Sequence, residues 1–79
     1  MKIGVVTGAV WSTRKAASLR GQTFLVVEAE DGVIVAADQV GAGPGDRVLV
    51  TMGAAASRYC EDAPVDAAVV AIVDDKSEV

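Results

Sequence analysis

A chain of 79 residues is short for a folded protein, and a domain of this size buries only about 60% of the surface that its unfolded chain exposes. Because 52% of the residues are hydrophobic, mostly Val and Ala, the chain has more apolar side chain than one small core encloses, and we expect some of it to meet another subunit. The net charge of -4 argues against binding to nucleic acid or to an anionic membrane, and the lack of His removes the commonest general base and metal ligand.

The compartment is predicted from the cysteine count and from the lengths of the apolar runs. Gly4, Thr7 and Gly8 interrupt the first apolar stretch, which is unlike the core of a signal peptide. The longest run, residues 67–73, is far shorter than the roughly 20 residues of a membrane-spanning helix. Since the single Cys60 has no internal partner for a disulfide, we expect a cytosolic protein. The short length predicts one domain over residues 1–79.

The first half of the chain predicts three strands. Residues 3–10 are rich in Val, and Gly4 and Gly8 within them suggest a bend or a close backbone approach. A polar segment follows, and then two β-type runs, 23–29 and 33–37, are separated by Glu30, Asp31 and Gly32. The Asp-Gly pair predicts a type I′ hairpin turn.

The second half predicts two more strands and one brief helix. Pro44 and Gly45 are typical of a type II turn, and they lead into a strand over residues 47–52. Residues 53–59 contain three consecutive Ala and favour one or two helical turns, which Pro64 would end. Residues 65–73 are almost uninterruptedly apolar and predict a strand covered on both faces, followed by a polar tail.

These elements predict an all-β fold, a small five-stranded OB-like barrel with one short helix before the last strand. Only one face of a strand in a small barrel points inward. The apolar outer face of the last strand therefore predicts contact with a neighbouring molecule.

Motifs that resemble catalytic or binding sites have simpler interpretations. The eleven carboxylates fall mostly at strand ends and turns, where they solvate loops. The Gly-rich residues 41–45 lack the third Gly of a nucleotide-binding loop, because Asp46 stands there, and a strand follows where that motif needs a helix. Arg14 and Lys15 either bind an anion or pair with an acidic neighbour, or lie in a solvated turn. Cys60, beside two acids, is expected to be an inert thiol.

Four blocks of the sequence resemble the bacterial microcompartment vertex proteins, the EutN/CcmL family of carboxysomes and metabolosomes. Residues 8–15 with Leu19 and Gly21 are similar to the family's opening strand and turn, and residues 38–46 are close to its Asp-x-Val-Gly-Ala-Gly-x-Gly-Asp/Glu motif. Residues 48–58 resemble its next strand and Gly-Ser-Ser/Ala-Ala-Arg segment, although Ser57 stands where Arg is usual. Residues 63–74 are similar to its final strand.

This resemblance implies a structural shell protein with no catalytic residues, cofactor or metal. It further implies a homopentamer that closes the vertices of a polyhedral shell otherwise built from hexameric shell proteins, in the cytoplasm. Such a ring needs two different patches on each subunit. The candidate interface or pore residues, from the resemblance and from the thin or apolar segments, are Ser12, Thr13, Arg14, Lys15, Gly41, Ala42, Gly43, Gly53, Ala54, Ala55, Ala56, Val70 and Ile72.

Three alternatives remain open from the sequence. One is a small-barrel binding module for an oligonucleotide or a protein, which the acidic chain with three aromatic residues fits poorly. Another is a co-chaperonin-like ring protein, since residues 45–50 echo the Gly-Asp-x-Val-Leu element of those barrels. The third is an enzyme, which fits poorly because the chain offers no credible nucleophile paired with a general base.

The apolar final strand generates one prediction from the sequence. Val70→Asp or Ile72→Asp places a charge on the surface expected to meet another subunit, so we expect unassembled or insoluble protein. Native mass and soluble yield measure the outcome. Normal assembly of both variants would show that this strand does not form the subunit contact.

Overall fold

The fold is a closed barrel of five strands, which confirms the predicted all-β class. The computed structural model describes residues 1–60 and 63–78. Its strands are β1 (Lys2–Val10), β2 (Phe24–Ala29), β3 (Gly32–Asp38), β4 (Arg47–Met52) and β5 (Ala67–Ile72). A 3₁₀-helix, Ala17–Leu19, lies between β1 and β2, and one short helix, α1 (Ala54–Ser57), precedes the last strand. The strands close in the order β1-β2-β3-β5-β4, as in an OB-type barrel.

The long strand β1 closes two sides of the barrel. Its first half pairs antiparallel with β4, from Lys2 opposite Val50 to Val5 opposite Arg47, and it also pairs with β2 along Gly4 to Val10. The pairing with β2 shifts register between Val6 and Gly8, which leaves one extra residue in β1 as in a β-bulge. A bulge bends a strand, so the predicted bend of the first strand is confirmed.

Gly4 marks the predicted close approach of two backbones. A Cβ atom at this position would lie 2.6 Å from the carbonyl oxygen of Glu28 and 2.6 Å from Cγ1 of Val27, whereas a Cβ at Gly8 would meet nothing within 4 Å. A Cβ atom essentially never lies that close to a non-bonded heavy atom. A side chain at position 4 therefore forces β1 and β2 apart.

The turn before β4 has the predicted conformation. The backbone N–H of Asp46 donates to the carbonyl oxygen of Gly43 over 3.0 Å, and Gly45 has a φ of 92°, as the third position of a type II turn requires. The N–H of Gly45 also donates to the carbonyl of Val6 over 2.8 Å, and the N–H of Val6 donates to the carbonyl of Asp46 over 2.9 Å. These bonds attach the turn to β1 beside its bulge.

The β2–β3 hairpin forms as predicted, but its turn lies one residue earlier. Ala29 pairs with Gly32, so Glu30 and Asp31 are the two central residues of the turn. The prediction that Asp31 and Gly32 are the central pair is therefore wrong. Gly32 instead begins β3, with a φ of 140°.

Thin side chains fill the barrel. The interior cluster consists of Val6, Leu25, Val27, Ala36, Val48, Val50, Ala67 and Val69. A second cluster lies outside the barrel wall and joins α1 and the residues after it, together the α1 segment (residues 54–60 and 63), to β3 and β5. It consists of Ala37, Ala56, Cys60, Ala63 and Ala68. The α1 segment thus covers part of the outer face of β5, so this face is not left entirely to a neighbouring molecule. Within the described residues no helix has the length and apolarity to cross a bilayer.

The close approach at Gly4 predicts a position-specific loss of stability. We expect Gly4→Ala to lower the free energy of unfolding by about 1–3 kcal/mol through overpacking. The matched variant Gly8→Ala, in the same strand with open space around the new methyl, should leave it unchanged or raise it by up to about 1 kcal/mol. Denaturant unfolding at one fixed protein concentration measures both. Equal effects of the two substitutions would contradict the account of Gly4.

Candidate subunit interface

Large apolar side chains remain on the outside of the closed barrel. Among residues 1–60 and 63–78, ten of them are exposed: Met1, Ile3, Val5, Val10, Trp11, Val33, Val35, Val40, Tyr59 and Ile72. Scattered exposed hydrophobic residues are normal on any protein, whereas contiguous apolar patches mark interaction sites. The question is therefore which of these residues lie together.

The Trp11 loop, residues 11–23, is a largely exposed connection between β1 and β2. Trp11 itself is 89% exposed, and every residue from 11 to 18 is exposed. Ser12, Thr13, Arg14 and Lys15, predicted as interface residues, therefore lie together at the surface. Among the described residues neither Arg14 nor Lys15 forms an ion pair. The structure thus leaves this basic segment available to an acidic partner.

An apolar groove crosses three strands on the outer surface. Ile3 of β1 lies opposite Leu49 of β4, which lies opposite Ala71 of β5, and with Ile72 and Val73 these residues line the groove. Ile3 is 37% exposed and Ile72 48% exposed. Asp74 and Ser77 line the same groove after β5 ends.

The two predicted interface residues of β5 have different environments. Val70 is partly buried and packs against the second cluster, beside the α1 segment. It falls where the β4–β5 pairing shifts register between Val50 and Leu49, which leaves one extra residue in β5. Ile72 lies in the apolar groove and is half exposed. An Asp at position 70 therefore disturbs the chain's own packing, while an Asp at position 72 acts mainly on the groove.

The loop containing Gly41, Ala42 and Gly43 is held by two carboxylates. Oδ1 of Asp38 accepts hydrogen bonds from the backbone N–H groups of Val40 and Ala42, over 3.1 and 3.3 Å. Oδ2 of Asp46 accepts one from the N–H of Gly43 over 2.9 Å. The expectation that acids solvate and cap turns is confirmed for these two, while Glu61 and Asp62 lie outside the described residues.

The candidate residues around α1 divide into exposed and buried positions. Gly53, Ala54 and Ala55 are exposed. Ala56 is fully buried against the second cluster, so its side chain stabilises the chain itself and is not free to contact another subunit. The exposed small residues Gly53, Ala54 and Ala55 thus lie directly before Ala56, which packs inside the chain.

Cys60 is buried, and its environment disfavours the thiolate. Nε2 of Gln39 donates to its sulfur over 3.4 Å, and Nε2 of Gln22 donates to its carbonyl oxygen over 3.2 Å. Burial raises the pKa of the Cys60 thiol. The inert thiol of Cys60 was predicted from the adjacent acids Glu61 and Asp62, which lie outside the described residues. In the structure, burial is what disfavours the thiolate.

Charge elsewhere on the described surface is sparsely paired. Nζ of Lys2 lies 2.6 Å from Oδ2 of Asp31, and this hydrogen bond holds the pKa of the Asp31 carboxyl below its usual value. Both groups face solvent, where such pairs contribute little to stability. No group of three or more His, Cys, Asp or Glu that could hold a metal occurs among residues 1–60 and 63–78.

Comparison with known proteins identifies the family. The family model described as "Ethanolamine utilisation protein EutN/carboxysome" matches residues 1–74. The chain belongs to the EutN/CcmL family. It is 49% identical over 83 residues to the carboxysome shell vertex protein CcmL of Thermosynechococcus vestitus, with 94% of this chain and 84% of that protein covered.

Two further relatives are described as microcompartment shell proteins. The bacterial microcompartment shell vertex protein PduN of Salmonella typhimurium is 42% identical over 88 residues, which cover 94% of this chain and 96% of PduN. The solved structure of the GrpN pentameric microcompartment shell protein from Rhodospirillum rubrum matches with a TM-score of 0.88 and 40% identity over 100% of both chains. The resemblance inferred from the four sequence blocks is confirmed.

Sequence reasoning missed the two surface features that are most distinct in the structure, Trp11 and the apolar groove. Trp11 had a visible signal, since a large aromatic residue stands directly before a polar, basic turn. The groove had none, because Ile3, Leu49 and Ala71 come from three separate strands and meet only through the pairing register.

The burial of Cys60 predicts slow thiol chemistry. We expect the native protein to react with a soluble thiol reagent at pH 8 far more slowly than the unfolded protein, because little thiolate forms and the sulfur is inaccessible. The absorbance of released thionitrobenzoate measures the rate, and the chain in denaturant is the control. A native rate equal to that of the denatured chain would contradict the burial of Cys60.

Proposed function

We propose that this chain is a structural shell protein that assembles as a homopentamer and caps the vertices of a polyhedral bacterial microcompartment. The observation that carries the proposal is its likeness, over the whole of both chains, to a protein described as a pentameric microcompartment shell protein. Relatives named vertex proteins in carboxysomes and in other microcompartments support it. The family match over residues 1–74 also favours this function over a binding module or a co-chaperonin-like ring.

The mechanism of such a protein is geometric. Units with sixfold symmetry tile a flat sheet, and a closed polyhedron requires fivefold positions at its corners. A pentamer that fits each corner seals the shell, so that an enclosed intermediate does not leak. The chain then acts by shape and edge complementarity, with hexameric shell proteins as its neighbours in the cytoplasm and without catalytic residues or a cofactor.

A ring of identical subunits sets conditions on the surface. Each contact is head-to-tail, so every chain presents two different patches that complement each other. The barrel offers its loops and outer faces for this purpose, since each strand already pairs with a neighbour on both sides. The candidates are the Trp11 loop, the Gly41–Gly43 segment, the exposed start of α1 and the apolar groove. Gly and Ala in two of these allow backbones to approach closely without loss of side-chain entropy.

The native mass in solution tests this proposal. We expect a particle of five times the 8.0-kDa chain, measured by native mass spectrometry or by light scattering after size exclusion. The Gly8→Ala variant serves as a control, because it changes β1 at a position with open space. A stable single chain at micromolar concentration would contradict the pentamer, and a hexamer would contradict the vertex position.

A further inference from the structure

We propose that Trp11 of each chain packs into the apolar groove of the next chain and thereby forms the central contact of the ring. This inference rests on the proposed pentamer and deepens it, because it names the two surfaces that meet. The groove is the one defined above, lined by Ile3, Leu49, Ala71, Ile72 and Val73.

The protruding partner of this contact is Trp11. Its side chain is 89% exposed, so the chain that contains it gains almost nothing from its apolar area. Tryptophan is among the residues that most often dominate the binding energy of an interface, where it fills a pocket on the partner. The neighbouring Val10, 42% exposed, extends the same apolar projection.

The receiving partner is concave and apolar. Leu49 and Ala71 are partly buried, while Ile3 and Ile72 are more exposed. The valine face of the hairpin, Val33 and Val35, is also exposed, but neither side chain lines this groove. An aromatic ring is desolvated more completely in a groove than on an open face, which favours the groove.

Charges beside the two surfaces are complementary. The Trp11 loop contains the basic residues Arg14, Lys15 and Arg20 and no acidic residue. The segment 74–78, which begins in the groove at Asp74, contains three acidic residues and one basic residue. Opposite charges around an apolar contact steer association and fix its register. A contact between two identical surfaces, loop against loop or groove against groove, would bring like charges together.

The two surfaces lie apart within one chain. Ile3 is the second residue of β1 and Trp11 directly follows its last, so they are eight positions apart along the strand, up to about 26 Å at the rise of a β-strand. Trp11 is not among the residues that line the groove, and its side chain is 89% exposed. A contact between them therefore joins different copies and is head-to-tail, which is the contact type that closes a ring.

Trp11 reports on its own environment, because it is the single tryptophan of the chain. At concentrations where the assembled mass is observed, we expect blue-shifted emission with weak acrylamide quenching. Dilution to the single chain should shift the emission to the red. We expect Trp11→Ala and Ile72→Ala each to raise the concentration needed for half-assembly by about tenfold or more, and the control Val33→Ala to leave it unchanged.

Crosslinking identifies the contact directly while Trp11 and the apolar side chains of the groove stay in place. We expect the double variant Ser12→Cys/Asp74→Cys, treated with a short bismaleimide, to give a denaturing-gel ladder of two to five linked chains. The pair Ser12→Cys/Val33→Cys, which would report docking on the valine face, should give none, and each single variant is a background control. All these positions are exposed, so the variants are expected to fold.

The outcomes separate this inference from the proposed function. An assembled mass of five chains with solvent-like Trp11 emission, or with a ladder only from the Ser12→Cys/Val33→Cys pair, overturns the inference and leaves the pentamer standing. A single-chain mass for the unmodified protein overturns both. Five chains, blue-shifted emission and a ladder from the Ser12→Cys/Asp74→Cys pair support both.

Discussion

Closure of a narrow barrel is the constraint on which the rest of the molecule depends. The interior holds mainly Val and Ala, and its largest fully buried side chains include Val6, Val27, Val48 and Val69. So small a core encloses only part of a chain that is 52% hydrophobic, and the remaining apolar residues lie outside. Because each strand of the closed sheet already pairs with a neighbour on both sides, we expect association to use mainly outer faces and loops.

Local signals in the sequence predicted most of the fold. The turn at Pro44 and Gly45 was readable because its geometry depends on the φ angles of two adjacent residues. β4 begins and ends where the apolar run predicted, at Arg47 and Met52. The position of the β2–β3 turn was not readable, because it depends on the register between two strands. Similarly, Val70 is partly buried because the α1 segment packs beside it. The sequence of β5 alone does not indicate this packing.

The candidate site was predictable only where it follows motifs. Gly41 and the basic residues Arg14 and Lys15 are exposed, whereas Ala42 and Gly43 are partly buried and Ala42 packs against the interior cluster. The apolar groove was not predictable, since residues 46 positions apart, Ile3 and Leu49, become neighbours only by strand pairing. Family membership supplies the ring, and the structure supplies two complementary surfaces that such a ring can bring together.

Small-angle X-ray scattering tests the central claim, that identical copies cover this apolar exterior, most directly. A single chain has a Cα radius of gyration of 12.0 Å. A compact particle of five chains would reach about 21 Å, and a ring with a central opening would exceed that value. The account predicts the larger radius together with a forward scattering that, at equal mass concentration, is five times that of the single chain. A radius near that of the single chain across the concentration range would contradict it.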